Sequence, residues 1–156
     1  MRRFYTFLVI PIILFSIVSC EDEISSDNRT TINSSANLMT FTADLHGTNE
    51  VPVPDNPSSE TGKAILTFDN SSKIFTIIVT HSIISPVSGH VYIGESDGNG
   101  EPIFTFTSLN SPINYTSVPL TESQEENLKS NLFYVNILTE AYPTGEIRGQ
   151  LGQSTP

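Results

Sequence analysis

From Leu38 onward apolar residues return at every second position, and turn residues break the run at short intervals. Half-buried β-strands have that period; helices do not. Phe41, Ala43 and Leu45 alternate with Thr42 and Asp44, and Ala64, Leu66 and Phe68 alternate in part with Lys63, Thr67 and Asp69. Asp69-Asn70-Ser71-Ser72 reads as a hairpin turn. It leads into the β-branched run over 73–80, whose Phe75, Ile77 and Val79 share one face. Residues 89–94 and 103–107 form a further predicted pair, joined by the Gly- and Asp-rich stretch 95–101. Residues 131–139 and 145–151 form a last pair around 141–144. Only residues 121–130 break the rhythm: Thr121 is a predicted N-cap, acids fill the first turns and Lys129 stands near the end. A short helix there has Leu120, Leu128 and Leu132 available to dock on the sheet. The pattern predicts an all-β fold, a Greek-key sandwich or barrel of about seven or eight antiparallel strands with one short helix.

What precedes Leu38 is of another kind. Met1-Arg2-Arg3 is a basic start, and the apolar run from Phe4 to Val18 is interrupted by Pro11. At about 1.5 Å per residue it falls short of a roughly 30 Å hydrocarbon core, and it reads as an export signal over residues 1–19. Ile17-Val18-Ser19-Cys20 resembles the bacterial lipobox, whose Cys becomes the lipidated first residue of the mature protein. Cys20 is the single cysteine, so its lipidation leaves no thiol for disulfides or nucleophilic catalysis. Several acyl chains give stable anchoring where one gives only marginal binding. Glu21-Asp22-Glu23 resembles the surface-export signals of Bacteroidetes lipoproteins, although a solvated charge run explains the same residues. The polar segment that follows, to residue 37, has almost no core material, so residues 20–37 are expected to form a flexible tether with a reach of roughly 20–25 Å. The domain itself is expected over 38–152, with a short tail at 153–156.

Charge removes one class of partner. Seventeen acidic and seven basic residues give a net charge of −10, and loss of Arg2 and Arg3 would lower the basic count to five and the net charge to −12. A chain so acidic cannot neutralise a run of phosphates, which argues against nucleic acid.

Four segments carry a resemblance to a known family. They are Phe41-Thr42-Ala43-Asp44-Leu45-His46-Gly47-Thr48-Asn49-Glu50-Val51-Pro52; Gly62-Lys63-Ala64; Gly89-His90-Val91-Tyr92-Ile93-Gly94 with Gly98-Asn99-Gly100-Glu101-Pro102; and Tyr134-Val135-Asn136-Ile137-Leu138-Thr139 with Pro143-Thr144-Gly145-Glu146-Ile147-Arg148-Gly149-Gln150-Leu151. Together, over residues 38–152, they resemble the CHRD domain, first described in chordin and common in bacterial exported proteins. The resemblance implies a β-sandwich that mediates binding at or outside the cell surface. It also implies a cluster of three imidazoles able to ligate a transition metal. This chain keeps His90 but has Tyr92 and Leu138 at the other two positions. His90 then reads either as a hydrogen-bonded structural residue or as a ligand with unexpected partners, and Tyr92 and Leu138 as packing replacements.

The remaining candidates each have two readings. Residues 95–101 place oxygen donors at alternate positions as a calcium loop does, with Asp97 and Asn99 as candidate ligands, but Phe106 stands where the twelve-residue loop needs a bidentate Glu. A Gly-rich hairpin turn explains the same residues. Arg148 is expected either in a structural ion pair with Glu146, Glu140, Asp44 or Glu50, or as an anion-binding group. Asn136, Glu146 and Tyr92 accompany it as ligand-binding or structural candidates. Glu122, Glu125 and Glu126 read as a solvated helix face rather than an acid pair. No Gly-x-Ser-x-Gly elbow, marked nucleophile or phosphate loop is present. Loops 51–60, 95–101 and 108–119 are the surfaces where binding is expected. The sequence thus predicts a module without catalysis or cofactor, lipid-anchored at the outer membrane and facing either the periplasm or the cell exterior, with an envelope protein or a glycan as ligand. A metal-binding sandwich using His90, and a structural subunit of an envelope complex, are the alternatives.

Overall fold

A computed structural model describes residues 37–154. The export signal at 1–19, Cys20 and all of the tether but residue 37 lie outside the described residues, as do the last two residues. The described chain is an antiparallel sheet with one helix. In chain order its elements are β1 (Leu38–His46), β2 (Thr61–Asp69), β3 (Ile74–His81), β4 (Ser88–Ile93), β5 (Glu101–Thr105), β6 (Ile113–Thr116), α1 (Glu122–Lys129), β7 (Phe133–Leu138), β8 (Ile147–Gln150) and β9 (Gly152–Gln153). The strand order is β5-β4-β7-β8-β1-β2-β3-β6, with the two-residue β9 also on β1.

The alternation sets the register. Phe41 lies opposite Leu66, and Leu66 opposite Ile77, so the apolar residues of β1, β2 and β3 fall in rows on one face. That face is fully or almost fully buried, and the sheet curls around it. The two ends of the curl meet through rings: Phe75 of β3 packs edge-on against Phe104 of β5 at 5.1 Å between centroids, and Tyr115 of β6 lies 6.2 Å from Phe104. Aromatic packing therefore joins the two ends, giving the all-β, sandwich-like half-barrel that the period predicts.

The hairpin at Asp69 forms as expected, its carboxylate accepting from Ser71 N–H and Ser72 Oγ while Lys73 takes a positive φ of 61°. α1 begins at a capping box in which Thr121 Oγ1 accepts from Gln124 N–H and Gln124 Oε1 accepts from Thr121 N–H. Leu120 and Leu128 are buried beneath it, and Leu132 is half-buried. Two expectations need correction. Stretch 108–119, read as a loop, contains β6, which extends the sheet beyond β3 in register from Val79↔Ile113 to Thr76↔Thr116. Glu125, read as part of a solvated face, is clamped by Lys129 Nζ at 2.6 Å and Lys73 Nζ at 2.9 Å, and hydrogen bonds from these ammoniums hold its carboxyl below the usual range.

Candidate functional site

β7 and β8 depart from the alternation that governs β1, β2 and β3. Phe133, Val135 and Ile137 face the core, yet Tyr134 and Asn136 on the opposite face are also buried. The cause is a cover: residues 47–60 after β1 and 94–100 after β4 fold back over the outer face of β4, β7 and β8. The register lines up His90, Asn136, Arg148 and His46 in one row across four strands, with Asn136 and Arg148 buried, His90 half-buried and His46 exposed. Tyr92, Tyr134 and Gln150 form the next row.

Arg148 is the centre of this layer and is 1% exposed. A buried guanidinium needs acceptors for its donors and compensation for its charge. Nη2 donates to Glu95 O and Gly98 O, both at 2.8 Å, and Nη1 donates to Asn99 Oδ1 at 3.4 Å. The guanidinium carbon lies 3.8 Å from the Tyr134 ring centre, a cation–π contact out of water. Tyr134 stacks in turn on Tyr92, at 4.9 Å with the planes 5° apart, and His90 meets Tyr92 edge-on at 5.6 Å.

Among the described residues no carboxylate pairs with Arg148, contrary to the expected ion pair. Each expected partner is placed otherwise: Asp44 lies 3.6 Å from Lys63, Glu146 Oε1 accepts from Ser58 Oγ at 2.8 Å, and Glu140 is exposed. Glu50, the fourth, accepts from Asn136 Nδ2 at 3.1 Å. The second carboxyl oxygen of Glu50, Oε1, and the amide oxygen of Asn136, Oδ1, are both buried without a donor. Two buried acceptors facing this shortage favour a carboxyl that carries its own proton. Burial pushes the Glu50 carboxyl up to about 7, against the opposing effects of the Asn136 hydrogen bond and the Arg148 charge. Gly145, at φ 146°, lies against this pair, and a Cβ there would run into both the Asn136 amide and the Glu50 carboxyl.

Asn49, which sequence reasoning passed over, ties the cover down by donating from Nδ2 to Arg148 O at 3.0 Å and Asp44 O at 3.3 Å. Asn99 bridges the two covering segments by donating to Val51 O at 2.7 Å. Gly100 N–H donates to Tyr134 Oη, and Gln150 Nε2 to Gly94 O and Asn131 O. The signal for this network was present but dilute: single Asn, Gln and Glu residues beside turns, in a chain full of such residues. Where the cover meets the sheet it leaves a cleft of about 460 Å³, lined in part by Asp44, Glu50, Val51, Ser96 and Arg148.

The predicted metal candidates fall apart spatially and chemically. His90 Nδ1 lies 3.0 Å from Thr105 Oγ1, and burial lowers its pKa. Asp97 is exposed on the turn. Asn99 and the carbonyls of Glu95 and Gly98 hold the Arg148 guanidinium, so the loop's converging oxygens already face a cation. Among the described residues no three His, Cys, Asp or Glu side chains converge as metal ligands. The transition-metal cluster implied by the three-imidazole pattern does not fit here, because Tyr92 is stacked on Tyr134 and Leu138 offers only hydrocarbon. Glu50 has a pKa suited to general acid–base work, but its one side-chain hydrogen bond is to an amide and its free oxygen is sealed. What the arrangement does with its polar groups is hold loops against the sheet.

Residues 41–151 match the family model of the CHRD domain. No curated protein and no solved structure matches the chain.

Proposed function

The chain belongs to the CHRD domain family, and on that premise we propose that it is a non-catalytic binding module tethered to the cell envelope by a lipid on Cys20. The family supports a binding or interaction role. The observation that carries the rest of the reading is the use to which the buried polar groups are put. Arg148 and Asn136 of the sheet bond to the covering segments, Asn49 of one segment bonds back to the sheet, and Asn99 joins the two segments. Chemistry-bearing side chains spent in this way make a rigid platform of loops, and loops on a rigid scaffold are where recognition sits. The lipobox at Cys20, the acidic run behind it and the polar tether favour the outer membrane, with the domain held clear of the surface. An envelope protein or a glycan fits such a position.

Two experiments test this. Cys20→Ala in cells should move the protein from the membrane fraction to the soluble one; continued attachment would contradict the anchor. A photo-crosslinking residue placed in cells at Pro54, Ser96 or Ile84 should give a discrete adduct from at least one position. Absence of an adduct at all three, or a turnover by the purified protein that a point change abolishes, would contradict the binding module.

A further inference from the structure

A second cleft, of about 620 Å³, opens away from the Arg148 cluster. It lies between the segment that leaves β3, the turn that leaves β7, and the residues that lead into β2 and β8. One wall is apolar: Ile83 is buried, Val87 is half-exposed, and Ile84 projects with 94% of its surface in solvent. Around that wall stand three carboxylates, Glu60, Glu140 and Glu146.

The charge balance of the domain leaves these carboxylates without a counter-ion. Among the described residues every Lys and Arg is committed elsewhere. Lys63 faces Asp44, Lys73 and Lys129 share Glu125, and Arg148 sits among carbonyls. A single metal ion is a poor answer, because among the described residues no three acidic or imidazole groups converge on one point. Separated carboxylates along an apolar wall instead match separated cations along a chain.

We propose that this cleft is the docking surface for an extended segment of another polypeptide in which Lys or Arg side chains alternate with small apolar ones. The cations would meet Glu60 and Glu140 at the rim, where solvent still reaches them, and the apolar side chains would cover Ile84 and Val87. Ile84 would be the anchor, since it has the most apolar surface to lose from water. A second copy of this chain is the wrong partner on charge grounds, because two chains of net −10 repel. The proposal rests on the binding-module reading and names the partner class for it.

The test uses the full-length protein in detergent and a fluorescent nine-residue peptide of alternating Lys and Val, followed by anisotropy. Saturable binding is expected, weakening with added salt. Ile84→Ser should weaken it at least tenfold, and so should Glu60→Gln combined with Glu140→Gln; Ile84 and Glu140 are exposed and Glu60 is half-buried. Glu122→Gln with Glu126→Gln removes the same charge from the remote helix and should leave affinity unchanged. A matching Glu/Val peptide should not bind. Equal affinity in the cleft variants, or an equal loss in the helix variant, would show attraction by net charge alone and overturn the proposal. Self-association broken by Ile84→Ser in sedimentation would overturn it in favour of a second copy. No peptide binding alongside a cellular adduct at Pro54 or Ser96 would sink this surface while leaving the module reading intact.

Discussion

Arg148 and Glu50 are both buried and ionisable, and they meet the cost of burial differently. Arg148 cannot give up its proton, so the fold surrounds it with two carbonyls, an amide oxygen and a ring face. Arg148→Met keeps much of the stem's packing but strips the donors from Glu95 O and Gly98 O. The expected loss is about 2–4 kcal/mol, roughly 10 °C in Tm, measured by thermal unfolding. Glu50 can hold its proton, and its pKa of about 7 lies above the ordinary 4.5. The sign follows from proton counts. Between these two values the folded state holds a proton that the unfolded state has released, so this group's contribution falls as pH rises from 4.5 to 7 and is flat above. Glu50→Gln, which supplies a neutral donor to the same neighbours, should remove that slope. Its Tm should gain several degrees on the parent protein between pH 4.5 and 7, whereas parallel Tm profiles would contradict a protonated Glu50. Asp69 and Glu125, held below their usual ranges by hydrogen bonds, act in the opposite sense and on the acid side.

Among the elements, strands with long alternating runs were legible: β1, β2 and β3 follow directly from the spacing of Phe41, Leu66 and Ile77. α1 was legible from its cap and charges. β6 was hidden because Ile113–Thr116 is four residues long and follows Pro112, too short for a period to show. The second burial of β7 was hidden for another reason. Nothing in Tyr134 or Asn136 announces a cover, and the cover comes from residues about 35 and 85 positions away in sequence, joined by single hydrogen bonds. Arg148 was singled out for its rarity, but its carbonyl partners could not be read because backbone oxygens have no letter in a sequence. The loop before β8 has its own requirement, since Gly145 combines a positive φ with contact to the Glu50–Asn136 pair. Gly145→Ala is strained on both counts. It should cost about 3 kcal/mol or prevent accumulation of folded protein, and wild-type unfolding midpoints in urea would contradict that role.

At the scale of the molecule, the curled sheet has two kinds of interior. The inner face is hydrocarbon and aromatic, and carries stability. The outer face at β4, β7 and β8 is a polar and aromatic layer that fixes two long loops, one Pro-rich and one Gly-rich, which have little hydrophobic reason of their own to be ordered. This division of labour is the central claim, and on it rests the reading of the domain as a platform for recognition. It is tested most directly by hydrogen exchange on the full-length protein, comparing wild type with Arg148→Met below both melting transitions. The account predicts that amide protection is lost in residues 47–60 and 94–100 while β1, β2 and β3 keep theirs. Protection lost evenly through the sheet, or unchanged in both loops, would contradict it.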